Sequence, residues 1–321
     1  LDSYLMMFCE VYAYYEARLD DKMLLLILRE NLYLKIDPQL SKYTSLKESR
    51  SISYKVDEMF RYTNEWNWAP EFIRDLDNFD NWDFNKVMKF WDNVQKFMLL
   101  SYQKIATQFP TMNLQNKISA SDFTLLSRKI KSHFSREADK IEKFVSFKDT
   151  PSESILYIEP VNQGIREIEW RLYKRNSAET KTFIATTVKS DSNLVKLLAW
   201  SALNGVYDPK FSRLTIQSGY TRINQNLVLE MLNQLAAFFN SDALKIKNKY
   251  ILNPAFSLRN FIILNFNQSK AESITQFAHL SQTSWGESYI REYSSYEDLA
   301  KTLVYIVKDG ATLKRHFDEY C

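Results

Sequence analysis

Aspartates make the densest cluster of potential chemistry. Asp75, Asp77, Asp80 and Asp83 fall within one short stretch, and carboxylate oxygens at such spacing could hold a divalent cation. They could equally cap helices and solvate the face around Trp82. A calcium-type loop needs a glycine at its sharp turn, and none is present, so capping is the expectation. The histidines, His133, His279 and His316, lie too far apart in sequence to share a metal through helical or hairpin spacing. Each alone could be a general base or a phosphate acceptor, but an ordinary surface or packing role is expected. Cys9 would need a nearby base to act as a nucleophile; a buried small hydrophobe is expected. Lys245, Lys247 and Lys249 alternate beside Tyr250. They could contact a phosphate backbone or protect an exposed edge strand, and the low net charge of +3 favours protection.

Glycine is scarce, with 5 in 321 residues, and no two are close enough for a G-x-G-x-x-G or Walker loop. A nucleotide-phosphate loop is not expected. The charge balance is also too small to call for nucleic acid or an anionic membrane. Cys9 and Cys321 form neither a C-x-x-C pair nor a disulfide framework, which fits a reducing, cytoplasmic setting. The longest apolar run, Met23–Leu28, is far short of the roughly 20 residues of a membrane span. Tryptophans 66, 68, 82, 91, 170, 200 and 285 could form a stacking surface for sugars or bases, with core packing the default.

The elements that would position these groups change character along the chain. Residues 1–35 read as helical. Phe84, Val87, Met88, Trp91, Val94, Met98, Tyr102 and Ile105 mark one helix face, with Asp83 placed to cap it. Phe123, Leu126, Ile130 and Phe134 mark the stripe of another, opened by a Ser119/Asp122 capping box. From about residue 145 the period switches. Strands are expected at 153–159, 167–174, 182–188 and 213–217, and a central strand at Phe261–Phe266. Helices are expected at 192–204, closed by Gly205, at 227–239, and from Ser294 or Ser295 to Gly310. The fold class expected is α+β: a helical domain over 1–146, a linker at Phe147–Ser152, and a mixed α/β domain of regulatory type over 152–321. Residues 317–321 are read as the start of a strand. Because the chain starts at Leu1 and stops at Cys321, it is expected to be an internal piece of a longer polypeptide.

Several segments, in order, resemble the class I adenylate cyclases, large bacterial cytoplasmic enzymes. They are Leu1–Met7, Tyr33-Leu34-Lys35, Glu65–Trp68, Leu76-Asp77-Asn78, Asn81-Trp82 and Ser101-Tyr102 in the first half. Ser119–Ser121 and Leu126–Lys129 follow, then Leu172–Arg175, Leu198-Ala199-Trp200, Asn204-Gly205 and Ser284-Trp285-Gly286. The resemblance implies a parent enzyme converting ATP to cyclic AMP and pyrophosphate with magnesium. Its catalytic domain, of nucleotidyltransferase type with a Gly-Ser turn and an Asp-x-Asp pair, would lie upstream. That motif is not found here, so no catalytic, cofactor-binding or metal residue is carried over; Mg and ATP belong to the parent. The implied partners are the upstream catalytic domain and the glucose-specific IIA protein of the phosphotransferase system. A regulatory histidine considered in relatives has no counterpart at Phe238-Phe239-Asn240 or Arg259-Asn260. The rival expectation is an independent binding module for nucleic acid or carbohydrate.

Overall fold

A computed structural model gives the fold. It describes residues 3–17, 22–43, 54–82, 84–108, 119–143, 152–162, 168–175, 185–217, 224–240, 248–264, 266, 276–293 and 295–308. The fold is α+β, with a helical first half and two sheets in the second. Two compact units, Leu1–Phe97 and Met98–Cys321, divide the chain within one long helix.

The first unit holds helices α1 (Ser3–Glu16), α2 (Lys22–Ile36), α3 (Tyr54–Glu65) and α4 (Pro70–Asp77), and the start of α5 (Phe84–Gln108). Pro70 opens α4, where its fixed φ suits the first turn and its missing N–H is no loss. The packing is dominated by rings. Tyr62 stacks on Trp66 at 5.4 Å, Trp66 meets Trp68 at 5.0 Å, and Trp68 meets Phe72 edge-on at 4.8 Å. Phe8 and Tyr12 of α1 close on Trp66 from the other side. Such offset and edge arrangements let ring quadrupoles attract while large apolar area is buried. Arg29 lies over both Tyr12 and Trp66, a cation on ring faces.

The second unit begins with the last turns of α5 and with α6 (Ala120–Phe134). The Ser119/Asp122 capping box forms as expected. Strands β1 (Ile155–Asn162), β2 (Ile168–Arg175), β3 (Ala185–Asp191) and β4 (Arg213–Ile216) make a sheet of order β3-β2-β1-β4, antiparallel except for the β1–β4 pair. Helices α7 (Leu194–Leu203) and α8 (Gln225–Phe239), whose side chains join the core cluster of the strands, supply its buried face. After the short α9 (Asn248–Ile251), β5 (Ser257–Leu264), β6 (Phe277–Thr283) and β7 (Ser288–Tyr293) form an antiparallel meander, followed by α10 (Tyr296–Lys308). Ile263, Ala278, Leu280 and Ile290 from this meander enter the same core as Leu156, Leu172, Leu198 and Leu235. The segment before the expected linker takes part too: Ile141 N–H donates to Ser288 O, and Ile290 N–H to Asp139 O, both at 2.8 Å.

Several expectations need correction. Ile105 and Leu126, placed on inward stripes, are exposed. The ends of α5 and α6 meet through Tyr102, whose ring stacks on Phe123 at 6.0 Å and whose hydroxyl donates to Ser127 Oγ at 2.6 Å. The apolar run from Phe261 sits on β5, an edge of its meander. Ile263 is buried in the core and Phe261 packs against it, but Phe261 and Ile262 are each only half-buried, so continuity of the run does not mean burial on both faces. Lys249 lies in a helical turn, not on an edge strand. Cys9 is exposed, not buried. Lys245, Lys247, Asp83, the linker at 147–151, Ser294, Gly310, His316 and residues 317–321 fall outside the described residues.

Candidate functional site

The acidic corner is built on the C-terminal end of α4. Residues two apart on a helix point about 200° away from each other, so Asp75 and Asp77 diverge instead of converging on one ion. Asp77 turns toward α2, where it accepts from the Tyr33 hydroxyl at 2.6 Å and from the Ser41 backbone N–H at 2.7 Å. Burial first, and then this carboxylate, push the Tyr33 phenol far above its usual range. Asp75 turns toward α5, where both of its oxygens take the Lys86 ammonium. Its backbone oxygen accepts from Trp82 Nε1 at 2.8 Å, and Lys86 lies 4.2 Å from a Trp82 ring centroid. Between these groups an open cleft of about 650 Å³ is lined by Glu71, Arg74, Asp75, Asp77, Ser41 and neighbours. Asp80 is exposed on the turn beyond. Among the described residues no group of three or more His, Cys, Asp or Glu is arranged to hold a metal ion.

Glu30, on α2, is a member of this corner that the sequence reading passed over. Burial, reinforced by the nearby Asp75 charge and opposed by Lys86, lifts its carboxyl to about 7. The signal was present: one acid lies inside the apolar run from Met23 to Leu34, where a carboxylate must pay for desolvation or stay protonated.

The second unit contributes a buried histidine. On β6, His279 is held through Nε2 at 2.8 Å from Asn260 Oδ1, which also accepts from Ser257 Oγ at 2.9 Å. An oxygen acceptor makes Nε2 the protonated nitrogen and leaves Nδ1 bare. Nδ1 is buried with no hydrogen-bond partner. A second proton would put a charge in an apolar place beside Arg291, so burial first, and Arg291 second, bring the ring down to about 4. His133 is lowered by burial and by Lys143 and Lys140, and its ring packs edge-on against Phe134. Of the histidines, cysteines and aspartates singled out in the sequence, Asp75 and Asp77 line one cleft, each held by other partners.

The β1–β2–β4 sheet carries a polar network on the face away from α7 and α8. Tyr157 and Tyr173 are directly opposite in register, with ring centroids 5.9 Å apart. Their hydroxyls donate to the two oxygens of Glu159 at 3.3 and 2.8 Å, and Tyr157 also bonds Gln217. Trp91, Trp170 and Trp200 are core residues. Trp285 serves as a tie: its Nε1 donates to Asn253 O at 3.0 Å while Arg128 covers its ring.

Residues 1–145 match the family described as adenylate cyclase, class-I, second domain, and residues 152–243 match adenylate cyclase, class-I, third domain. The chain carries the second and third domains of the class-I adenylate cyclases. It is 25% identical over 221 residues to the adenylate cyclase of Yersinia intermedia, covering 68% of this chain and 25% of that protein. It is 24% identical over 243 residues to the enzyme of Proteus mirabilis, covering 74% of this chain and 27% of that protein. Against that of Escherichia coli K12 it is 25% identical over 210 residues, 64% of this chain and 24% of that protein. The chain thus spans about a quarter of the length of the curated relatives it matches. No solved structure matches it. The class-I third-domain match ends at residue 243, yet β5–β7 complete the same hydrophobic core. No described helix is long and apolar enough to cross a membrane.

Proposed function

We propose that the chain is the non-catalytic, regulatory and scaffolding part of a class-I adenylate cyclase that converts ATP to cyclic AMP and pyrophosphate. One observation carries the reading. The carboxylates best placed to bind magnesium are each engaged by the chain's own groups, Asp77 by Tyr33 and Ser41 and Asp75 by Lys86. A two-metal mechanism needs carboxylates that converge on the reacting phosphate. In this reading magnesium and ATP bind in the family's first domain, upstream. That domain and, on the resemblance, the glucose-specific IIA protein are the partners, and the setting is the cytoplasm.

The test is a cyclase assay with magnesium and ATP on three samples: this chain, the first domain of the Yersinia intermedia relative, and a chimera joining that domain ahead of Leu1. The expected result is no cyclic AMP from the chain alone and a rate for the chimera different from that of the first domain. Cyclic AMP from the chain alone would overturn the non-catalytic reading. Equal rates with and without the chain would overturn the regulatory one.

A further inference from the structure

Helix α1 is apolar on nearly every side. Its only charged residues are Glu10 and Glu16. One face is accounted for: Phe8 and Tyr15 are buried, and Phe8 meets Tyr62 and Trp66. The arc turned away from Phe8 leaves Met6, Met7 and Tyr14 exposed by 37–59%, and α2 adds Met23 and Leu26, also exposed. A helix that ends at water carries a polar outer face. Large apolar side chains crowded onto one helix and the start of the next mark an interaction surface.

We propose that the outward face of α1 is the seat of the family's first domain. The inference rests on the reading in the preceding subsection and gives that partner a docking surface. The occupant follows from the comparisons. The profile matched from residue 1 is the second domain of its family, and the relatives hold about three quarters of their length outside the matched stretch. The family's description of this stretch as its second domain implies a first one, which in this proposal is joined ahead of the segment that α1 begins. A domain joined through the chain meets this face at an effective concentration on the order of mM, so a modest apolar patch is enough to hold it. Glu10, in the middle of the outward arc, calls for a basic or hydrogen-bond-donating side chain among the partner's apolar ones.

Photo-crosslinking in the chimera described above tests this. A benzophenone amino acid replaces Met7 in one version and Tyr54, an exposed residue on α3, in the control. Crosslinks into the first domain are expected from position 7 and not from position 54. In a second measurement, the first domain is added in trans to the chain and to its Met7→Glu variant, with at least a tenfold weaker Kd expected for the variant. Because Met7 is exposed, the variant should keep its circular dichroism. Absent crosslinks from position 7, or equal Kd values, would overturn the docking face. If the chimera then still shows altered cyclase rates, the functional reading survives that failure. Crosslinks between two copies of the chain, with a concentration-dependent mass that Met7→Glu abolishes, would assign the face to a second copy and overturn the proposal.

Discussion

The two compact units solve the same problem with different side chains. Leu1–Phe97 mixes rings with polar tips into an interior that also buries Leu24, Ile27, Met59 and Leu76, and several of the tips are tied down: Tyr33 to Asp77, Trp82 to the backbone of Asp75, Arg29 to Tyr12. Met98–Cys321 fills its core mostly with aliphatic side chains, among them Leu197, Leu198, Val228 and Leu235, all at 0% exposure. A ring with a polar tip gains from a hydrogen bond at a fixed point, because burying that nitrogen or hydroxyl unpaired is costly. An aliphatic core asks only for volume and shape. The groups that burial shifts to about 7 and about 4 also differ, a half-buried carboxyl in the first unit and a buried imidazole in the second.

The largest effect should come from the ionic tie of the second unit that, among the described residues, is buried on both sides. The Lys140 ammonium donates to Ser132 O at 2.6 Å, to Ser135 Oγ at 3.1 Å and to Glu287 Oε1 at 3.3 Å, with both side chains 8% exposed. Lys140→Met leaves Glu287 as an uncompensated buried charge and should cost about 3–5 kcal/mol. Adding Glu287→Gln to it should recover a large share. Hydrogen exchange checks the comparison at the same time. The amides of Ile141 and Ile290 should lose protection while those of α2 keep theirs. Equal loss in α2 would break the picture of two separately built cores.

The second effect is a difference in sign. Glu30, raised from 4.5 to about 7 in the fold, stabilises the first unit fully below pH 4.5, and that contribution is lost as pH rises through 7. His279, lowered from 6.5 to about 4, stabilises the second unit above pH 6.5, and that contribution is lost as pH falls through 4. Each is on the order of 2 kcal/mol after allowing for solvent screening. Between pH 8 and pH 5 the first unit should therefore gain stability while the second loses it. Glu30→Gln should flatten the first profile and raise stability at pH 8. His279→Gln should flatten the second. Urea unfolding followed by exchange in each unit reads both, and parallel profiles would refute the contrast.

Much of the second unit was legible because its buried residues recur at fixed steps. Trp170 and Leu172 alternate with Glu169 and Arg171, and Val228, Met231, Leu232 and Leu235 follow a helical stripe. The first unit was legible as helix but not as packing. In α1 both faces are apolar, so no period distinguishes the side buried by Phe8 from the side exposing Met7. The corner around Asp75 and Asp77 was found by composition alone. Its members Glu30, Tyr33 and Ser41 come from elsewhere in the chain, and only the meeting of α2, α4 and the turn at Leu40–Lys42 brings them together. His279 was noted as isolated in sequence. Its partner Asn260 lies one strand away, a neighbour that strand pairing supplies and spacing does not.

The smallest effect concerns how each unit takes its left-handed backbone positions. The first unit uses Asp37, Gln39 and Asn67, with φ of 48–52°; the second uses Gly205 and Gly286, with φ of 67° and 84°. Gly205 ends α7 in a Schellman arrangement: Val206 N–H donates to Ser201 O at 3.0 Å and Gly205 N–H to Ala202 O at 3.2 Å. Val206 is buried beside the helix end. A Cβ at residue 205 would crowd the following carbonyl, so Gly205→Ala should cost about 1 kcal/mol, or about 2–4 °C in a unit of this size. Gly205→Asn should cost less, since its side chain tolerates this region. In the first unit Asn67→Gly should stay within about 0.5 kcal/mol of neutral, because the relief of backbone strain is offset by greater freedom of the unfolded chain. Calorimetry on these three variants separates the cases. A full loss at Asn67→Gly would mean that the asparagine side chain holds its turn, and the two units would then differ in how the turns are fastened as well as in how their cores are filled.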